Sequence, residues 1–415
     1  MPFETVLPGG DIMKKPQKWV KRRHRVVRDI ANATLGVWVR LRYRVKVEHL
    51  KGSRGKQYLL LYNHQTPMDQ FLVGMTVRDP VYYLATEDIF SNGFVSSIIR
   101  WAVAPIPIKK QTMDIKAVIN CLKVAKEGGS LAIAPEGNRT YSGKTEYIKP
   151  SIASLARKLG LPIALVRIEG GYGVQPRWSD KVRKGRMKTY ISRLIPPEEY
   201  AGMTDDQLYE CIRSELTVNE ACAGASFKSR RSAEYLERAV YVCPDCGFSA
   251  FESKKDIIRC TTCGKRIRYG ADKVMNGVGF DFPFRFVNDW YEYQKQYVNG
   301  LDTRLYTEKP LFTDTVTVKN VILNKRKETY MKNAGLALYG DRMVLTARDG
   351  TEQVMPFDSI TAAAVLGRNK LNVYDSSHVF QITGGKRFNA MKYVNLYYRY
   401  QNITKEADNE QFLGL

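Results

Sequence analysis

One histidine and one aspartate stand five residues apart in the stretch from Gln57 to Gln70, Q-Y-L-L-L-Y-N-H-Q-T-P-M-D-Q. The apolar run from Tyr58 to Tyr62 predicts a buried strand, and the residues that follow it predict a helix start with Thr66 as the N-cap. Across such a strand-to-helix turn His64 and Asp69 can meet. A carboxylate that accepts a hydrogen bond from one ring nitrogen fixes the tautomer and stabilises the imidazolium, so the pair is a candidate general base. The alternative is a helix cap with an incidental histidine.

A second candidate loop has the sequence Pro135-Glu136-Gly137-Asn138-Arg139-Thr140 and directly follows an apolar strand. Its glycine allows the backbone to approach an anion closely, and its guanidinium can bind a phosphate in bidentate fashion. Taken alone, the loop could equally be a turn with a surface ion pair. Together, the two motifs favour a general base beside an anion site.

Four cysteines form two C-x-x-C pairs separated by 13 residues, and a glycine follows each pair. This spacing is typical of zinc ribbons, in which four thiolates surround one tetrahedral Zn²⁺. Redox-active dithiols and disulfides are the alternatives. We expect a structural zinc and no catalytic metal, because the pattern leaves no coordination position open. The predicted ligands are Cys243, Cys246, Cys260 and Cys263.

The two loops resemble the signatures of the glycerolipid acyltransferases, which include the lysophosphatidic acid acyltransferases. N-H-Q-T-P-M-D at 63–69 is similar to the family's N-H-x-S/T-x-x-D, and P-E-G-N-R-T at 135–140 to its P-E-G-T-R-S. Pro105 to Lys110 and Gly160 to Val166 resemble two further family segments in the same order. The resemblance covers roughly residues 40 to 220.

The resemblance implies an α/β domain with a central mixed sheet and a specific reaction. His64 would take the proton from an acceptor hydroxyl as it attacks the thioester of acyl-CoA or acyl carrier protein, and Asp69 would orient the imidazole. Acylation of lysophosphatidic acid would give phosphatidic acid. The glycerophosphate end of the acceptor would be bound by Glu136, Gly137, Arg139 and Lys110.

Two departures from the family pattern leave other acceptors open. Lys110 stands where the family has an arginine, and Asn138 where it commonly has threonine. The first alternative is therefore an acyltransferase or transacylase for another lysophospholipid. The second is a non-catalytic scaffold that binds lipid or nucleic acid, since zinc ribbons and basic chains are common among nucleic-acid binders. The histidine and aspartate beside the P-E-G loop make nucleic acid the less expected partner.

The formal net charge of +23 predicts an anionic partner. From Lys14 to Arg44 a basic cluster accompanies an apolar stripe, which predicts one amphipathic helix able to lie on an anionic membrane. The alternative is that this stripe packs on the next domain. We find no apolar run of the roughly 20 residues that a spanning helix needs and no secretory signal. The expected location is cytoplasmic, peripheral on the cytoplasmic face of a membrane.

Changes in sequence texture predict several segments. After residue 310, seven short strands separated by turn residues and one final helix resemble a PH-like barrel, including GRAM-type modules, and a small β-sandwich is the alternative. The expected organisation is a basic N-terminal helix region (1–44), an acyltransferase domain (45–224), a linker (225–240), a zinc ribbon (241–270), a helical connector (271–309) and a PH/GRAM-like domain (310–403).

Overall fold

The computed structural model describes residues 18–108, 114–222, 224–322, 326–405 and 412–414, without the side chain of Glu87. Lys110, one of the predicted phosphate ligands, lies outside these ranges.

Seven strands form a mixed sheet, the N-terminal sheet, with the order β1-β7-β6-β2-β5-β3-β4. Only β6 and β7 pair in the antiparallel direction. The carboxyl ends of the five parallel strands β6, β2, β5, β3 and β4 therefore lie at one edge of the sheet, and those of β1 and β7 lie at the opposite edge. The strands are β1 (Val45–Val47), β2 (Leu59–Tyr62), β3 (Val81–Thr86), β4 (Ile106–Ile108), β5 (Ser130–Ile133), β6 (Ile163–Glu169) and β7 (Met187–Ile195).

The helices of this part of the chain cover both faces of the sheet. The apolar residues Val118, Ile119, Leu122 and Val124 predict a helix from Ile115 to Lys126. The helix is present with these bounds, and Asp114 caps it by accepting a hydrogen bond from the Ala117 amide. The helices are α1 (Arg22–Ala33), α2 (Leu35–Tyr43), α3 (Asp69–Gly74), α4 (Glu87–Phe90), α5 (Phe94–Val103), α6 (Ile115–Lys126), α7 (Ser151–Leu159), α8 (Gly171–Val174), α9 (Pro197–Ala201) and α10 (Asp205–Leu216).

The single N-terminal helix predicted from Lys14 to Arg44 is wrong in its described part, because the chain forms α1 and α2 with a break at Thr34. The hydroxyl of Thr34 donates to the Ile30 carbonyl, 2.8 Å away, and the Thr34 backbone leaves the helical region. The break lets α2 bury Val39 and Tyr43 against the sheet.

Much of the predicted apolar stripe does not pack on a neighbouring domain. Leu41 is 75% exposed, and α5 presents a second apolar face on which Phe94 is 79% exposed. Helix α1 lies next to α5, since the guanidinium of Arg23 on α1 is 5.2 Å from the centre of the Trp101 ring on α5. Within the described ranges, no helix is both long and apolar enough to cross a bilayer. The other exposed large apolar residues of α1, α2 and α5 are Val26, Ile30, Val37, Trp38, Val95, Ile98, Trp101 and Val103.

The zinc-ribbon region consists of two small antiparallel sheets, followed by a longer helix, α11 (Val287–Asn299). Trp290 of that helix is buried and donates from Nε1 to the Val242 carbonyl at 2.8 Å, which fixes α11 beside the first cysteine pair. The strands are β8 (Val242–Cys243), β9 (Gly247–Phe248), β10 (Phe251–Lys254), β11 (Ile257–Cys260), β12 (Arg266–Tyr269) and β13 (Met275–Gly277).

Seven antiparallel strands form the C-terminal sheet, with the order β17-β16-β15-β14-β20-β19-β18. The seven predicted strands and the final helix are confirmed, but the edge strands β17 and β18 do not pair, so the sheet is open and not a closed barrel. The PH-like architecture therefore stays a prediction. The elements are β14 (Phe312–Asn320), β15 (Glu328–Leu338), β16 (Arg342–Thr346), β17 (Glu352–Pro356), β18 (Ala362–Leu366), β19 (Lys370–Tyr374), β20 (Val379–Gly384) and α12 (Met391–Lys405).

The predicted linker, residues 225–240, is partly buried. Phe227 is buried between Gly173 and Gly185, where an added Cβ would come within 2.3 Å of its ring. A short 3₁₀ helix, Leu236–Arg238, is also buried. The second half of the segment, 232–240, is mostly buried, whereas most residues before it other than Phe227 are exposed.

Candidate active site

His64 and Asp69 are in direct contact at the carboxyl end of β2. The imidazole Nδ1 lies 2.8 Å from Asp69 Oδ2. Because a carboxylate only accepts hydrogen bonds, Nδ1 carries the ring proton and Nε2 is left with its lone pair. The His64 side chain is 23% exposed and that of Asp69 is completely buried, so only the imidazole can meet a substrate.

The Asp69 carboxylate also holds the backbone of the turn. It accepts hydrogen bonds from the amides of Gln65 (2.6 Å) and Thr66 (2.9 Å) and from the Thr66 hydroxyl (2.6 Å). Helix α3 begins at Asp69, so the prediction of Thr66 as N-cap is wrong by two residues. The carboxylate itself draws the preceding residues into a tight turn, and this turn takes the place of the first helical residues.

The end of β2 is anchored on its other side by Asn63. Its side-chain amide donates to the Ile168 carbonyl and accepts from the Ile168 amide, at 2.9 and 2.8 Å. This reciprocal pair extends the contact between β2 and β6 by one residue. His64 therefore starts from a backbone position that is fixed on both sides.

The P-E-G loop meets His64 through the backbone. Glu136 accepts hydrogen bonds from the amides of His64 (2.7 Å) and Glu146 (2.9 Å), while the Thr140 amide donates to the His64 carbonyl. Burial raises the pKa of Glu136 to about 8, against the two amide bonds, which lower it. Both carboxylate oxygens are thus engaged in positioning the loops, and a contact of Glu136 with an acceptor stays a prediction. Gly137 supports the sharp turn with a φ of 67°.

Arg139 provides a half-buried positive charge near the pair. Its Nη1 atom is buried and has no hydrogen-bond partner among the described residues, and no carboxylate of those residues lies within ion-pair distance of it. Burial and the adjacent charge of Arg177 lower the pKa of Arg139 to about 10, so the guanidinium is still protonated at neutral pH. An unpaired buried donor of this kind is costly unless a ligand satisfies it.

The electrostatics of the site favour a neutral imidazole. Burial lowers the pKa of His64, and the charges of Arg139 and Arg177 act in the same direction. The hydrogen bond and charge of Asp69 oppose this change only in part. At neutral pH, His64 is therefore in the form that can accept a proton.

Arg177 is a residue of the site that the sequence did not reveal. Its side chain is almost completely buried, and its Nη1 donates to the Arg139 carbonyl at 2.8 Å. Its Nη2 approaches Asn138 Oδ1 at 3.3 Å. No motif marks this arginine, because its partners lie in a loop almost forty positions earlier. Of the other predicted ligands, Lys110 lies outside the described residues.

The four predicted zinc ligands form one cluster. Their sulfur atoms all lie within 4.8 Å of one another, and Cys243 Sγ is 3.9 Å from Cys263 Sγ. A tetrahedral site with Zn–S bonds of about 2.3 Å needs sulfur atoms roughly 3.8 Å apart, so the cluster fits the ion. The glycines after the two pairs, Gly247 and Gly264, have φ values of 71° and 76°, as the knuckle turns require.

Comparison with known proteins confirms the resemblance over the residues that hold the site. Residues 44–169 match the family model described as Acyltransferase. The chain is 24% identical over 163 residues to a chloroplastic 1-acyl-sn-glycerol-3-phosphate acyltransferase of Brassica napus, a match that covers 37% of this chain and 45% of the relative. It is 22% identical over 190 residues to the 1-acyl-sn-glycerol-3-phosphate acyltransferase of Bacillus subtilis, covering 45% and 90%. The chain thus spans less than half the length of the first of these relatives.

Two further comparisons concern the second region and the fold. Residues 236–271 match a zinc-ribbon family model described as DNA directed RNA polymerase, 7 kDa subunit. A crystal structure of the 1-acyl-sn-glycerophosphate acyltransferase from Thermotoga maritima is similar with a TM-score of 0.38 and 19% identity, covering 46% of this chain and 76% of that one.

Replacing the buried carboxylate should reveal its structural role. In Asp69→Asn the new amide group must face the donors of Gln65 or Thr66, so we expect a loss of at least about 2 kcal/mol in the free energy of unfolding. Denaturant unfolding measures this loss. The control is Asp206→Asn in the exposed first turn of α10, which should cost less than about 1 kcal/mol. Equal stability of the two variants would contradict the described role of Asp69.

Proposed function

We propose that this protein transfers a fatty acyl group from a thioester donor, acyl-CoA or acyl carrier protein, to the free hydroxyl of lysophosphatidic acid. The observation that carries the proposal is the contact of His64 with Asp69 near Arg139, whose buried Nη1 has no hydrogen-bond partner among the described residues. All three residues lie within the range that matches the acyltransferase family. The names of the relatives supply the acceptor, since they are 1-acyl-sn-glycerol-3-phosphate acyltransferases.

In the proposed reaction, Nε2 of His64 accepts the proton of the acceptor hydroxyl while the hydroxyl oxygen attacks the thioester carbonyl carbon. The carbon–sulfur bond then breaks, and the thiolate leaves and takes up the proton. Asp69 stabilises the imidazolium between these steps through Nδ1. The histidine acts as a base and not as a nucleophile, so no acyl-enzyme forms.

The acceptor is held by its phosphate in this proposal. Nη1 of Arg139 has no partner among the described residues and can donate to a phosphate oxygen, and neither Arg139 nor Arg177 has a carboxylate partner in the same set. A phosphate would supply the negative charge that these two cations lack. Lys110 is proposed to assist from the segment that follows β4.

Binding to an anionic membrane surface is the proposed way in which the protein meets its lipid acceptor. The exposed apolar residues of α1, α2 and α5 lie beside a cluster of arginines and lysines, including Arg22, Arg23 and Arg25. Apolar side chains flanked by cations are typical of helices that rest in the headgroup region of a bilayer. A peripheral position on the cytoplasmic face is therefore proposed.

The four-cysteine cluster is proposed to hold one structural Zn²⁺. The spacing of the sulfur atoms and the family match at 236–271 support this assignment. The ion would cross-link β8 to β11 and to the turn after β11. These elements form a small unit with little apolar interior of its own, and such units depend on their metal for stability. Its position beside α11 gives it a structural task in holding the interior between the two large sheets.

Acyl transfer on liposomes tests the enzyme assignment. We expect the purified protein to acylate lysophosphatidic acid from at least one thioester of a donor panel, and His64→Ala to lower kcat/KM at least about 100-fold through loss of the base. The matched control is His49→Ala, since His49 is exposed and away from the pair. A wild-type protein that turns over no thioester against any lysolipid would contradict the proposal.

The pH dependence of kcat/KM tests the role of Asp69. Because the pKa of His64 is lowered from 6.5, the imidazole is still mostly neutral at pH 6.5, and activity should be lost only at a lower pH. Asp69 raises the pKa of His64, so in Asp69→Asn the acid limb should move to still lower pH. The wild-type protein and the variant are assayed with the same acceptor, so the titration of its phosphate affects both pH profiles equally. An acid limb that stays in place in the variant would exclude Asp69 as the partner of the base.

Metal analysis tests the zinc assignment. We expect about one zinc per chain, and Cys260→Ser should lose the metal and lower the melting temperature, because three ligands hold zinc far less tightly than four. The control is Cys222→Ser, whose thiol is exposed and outside the cluster. If the wild-type protein keeps the same melting temperature after its metal has been removed, the cluster does not need the ion.

A further inference from the structure

One buried guanidinium joins the candidate active site to the C-terminal sheet. Besides the Arg139 carbonyl, Arg177 donates from Nε to the Gly367 carbonyl at 2.8 Å and from Nη2 to the Val365 carbonyl at 3.0 Å. Arg177 is only 1% exposed. The chain segment that carries Arg139, the end of β18 and the β18–β19 turn (residues 367–369) therefore share one hydrogen-bonding centre.

Tyr141 makes a second connection at the same place. Its hydroxyl donates to the carbonyl of Arg368, and the Arg177 guanidinium lies 4.3 Å from the centre of its ring. Tyr141 is buried among residues of the zinc-ribbon region and the C-terminal sheet. The β18–β19 turn is thus fixed next to the P-E-G loop by contacts on both sides.

A third connection lies directly after β3. Asp88, just after β3, accepts a hydrogen bond from Gln381 Nε2 at 2.9 Å and forms an ion pair with Lys327. Asp88 and the P-E-G loop follow the carboxyl ends of β3 and β5, and His64 follows that of the neighbouring strand β2. The C-terminal sheet therefore lies along the edge of the N-terminal sheet where the candidate base is found, the edge at which open α/β sheets bind ligands.

The side chain of Arg368 brings a further cation to this edge. Its Nε is buried, has no hydrogen-bond partner among the described residues and lies 3.5 Å from an oxygen of Asp180, a carboxylate that also pairs with Arg238. The side chain is 37% exposed, so solvent or a ligand can reach it. The carbonyl of Arg368 accepts a hydrogen bond from Tyr141, the residue after the P-E-G loop, so the side chain starts from a backbone position next to that loop. Besides burial and the charge of Arg177, the charge of Arg368 also acts to lower the pKa of Arg139.

We propose that the β18–β19 turn completes the acceptor site, with Arg368 binding the phosphate monoester of the acceptor together with Arg139 while Arg177 positions both. This inference rests on the proposed function. A phosphate monoester carries close to two negative charges near neutral pH, so two arginines match it better than one. The C-terminal sheet thereby selects acceptors with a terminal phosphate over those whose phosphate is esterified to a zwitterionic headgroup.

Kinetics with the full-length protein on liposomes test this role. For Arg368→Ala, we expect the KM for lysophosphatidic acid to rise about tenfold or more with kcat changed less than about twofold, because one charge-assisted contact to the bound acceptor is lost. The preference for lysophosphatidic acid over lysophosphatidylcholine should fall by a similar factor. Arg368→Lys, which keeps the charge, should recover part of the loss. The control is Arg348→Ala, in the exposed turn between β16 and β17 at the other end of the sheet.

A binding measurement separates this inference from the enzyme assignment. Glycerol 3-phosphate should raise the melting temperature of the wild-type protein and of Arg348→Ala, less so that of Arg368→Ala, and least that of Arg139→Ala. If the wild type transfers no acyl group but this order of stabilisation holds, the proposed function fails and the composite anion site remains. If the wild type is active while Arg368→Ala matches Arg348→Ala in KM, acceptor preference and stabilisation, the inference is overturned. If Arg368→Ala lowers the melting temperature in the absence of ligand, Arg368→Lys takes its place in the comparison with Arg348→Ala.

Discussion

A completely buried carboxylate determines the shape of the turn on which the candidate site depends. Asp69 accepts hydrogen bonds from two backbone amides, one hydroxyl and the His64 imidazole. An ionised group in this position is tolerable only because every lone pair finds a donor. The same bonds end β2, begin α3 and set the orientation of the imidazole, so a single requirement for charge compensation accounts for local fold and chemistry together. The cap and the catalytic partner that the sequence presents as alternatives for Asp69 are two effects of one arrangement.

The sequence predicts what depends on neighbours along the chain. The buried strand β2, the helix from Ile115 to Lys126, the seven C-terminal strands and the cysteine spacing all follow from local patterns, and the structure contains them. The N-cap was misplaced because Thr66 and Asp69 satisfy one another before the helix begins. The contact of His64 with Asp69 was predictable because five residues and a turn suffice to define it.

What the sequence could not show depends on contacts between distant segments. Arg177 bonds to Val365 and Gly367, almost two hundred positions away, and no spacing rule links such residues. The basic segment 225–240 has the composition of a linker, yet Phe227 fills a space that two glycines leave open. The strands β1 and β4 have three residues each, too few for a periodic pattern. Tertiary packing decides all of these cases, and packing is not encoded in any short window.

The seating of the β18–β19 turn on Arg177 also has a consequence for the order in which the protein matures. On the ribosome, the N-terminal sheet emerges long before residues 365–368, so Arg177 at first lacks two of its acceptors, and Tyr141 and Trp178 lack the apolar surroundings that later bury them. A chain in this state has a charged and an aromatic surface that the finished protein hides, the kind of surface that chaperones recognise. The contacts of Arg177 with Val365 and Gly367 can form only after β18 and the turn that follows it have been synthesised, so the backbone beside the P-E-G loop gains these two anchors late.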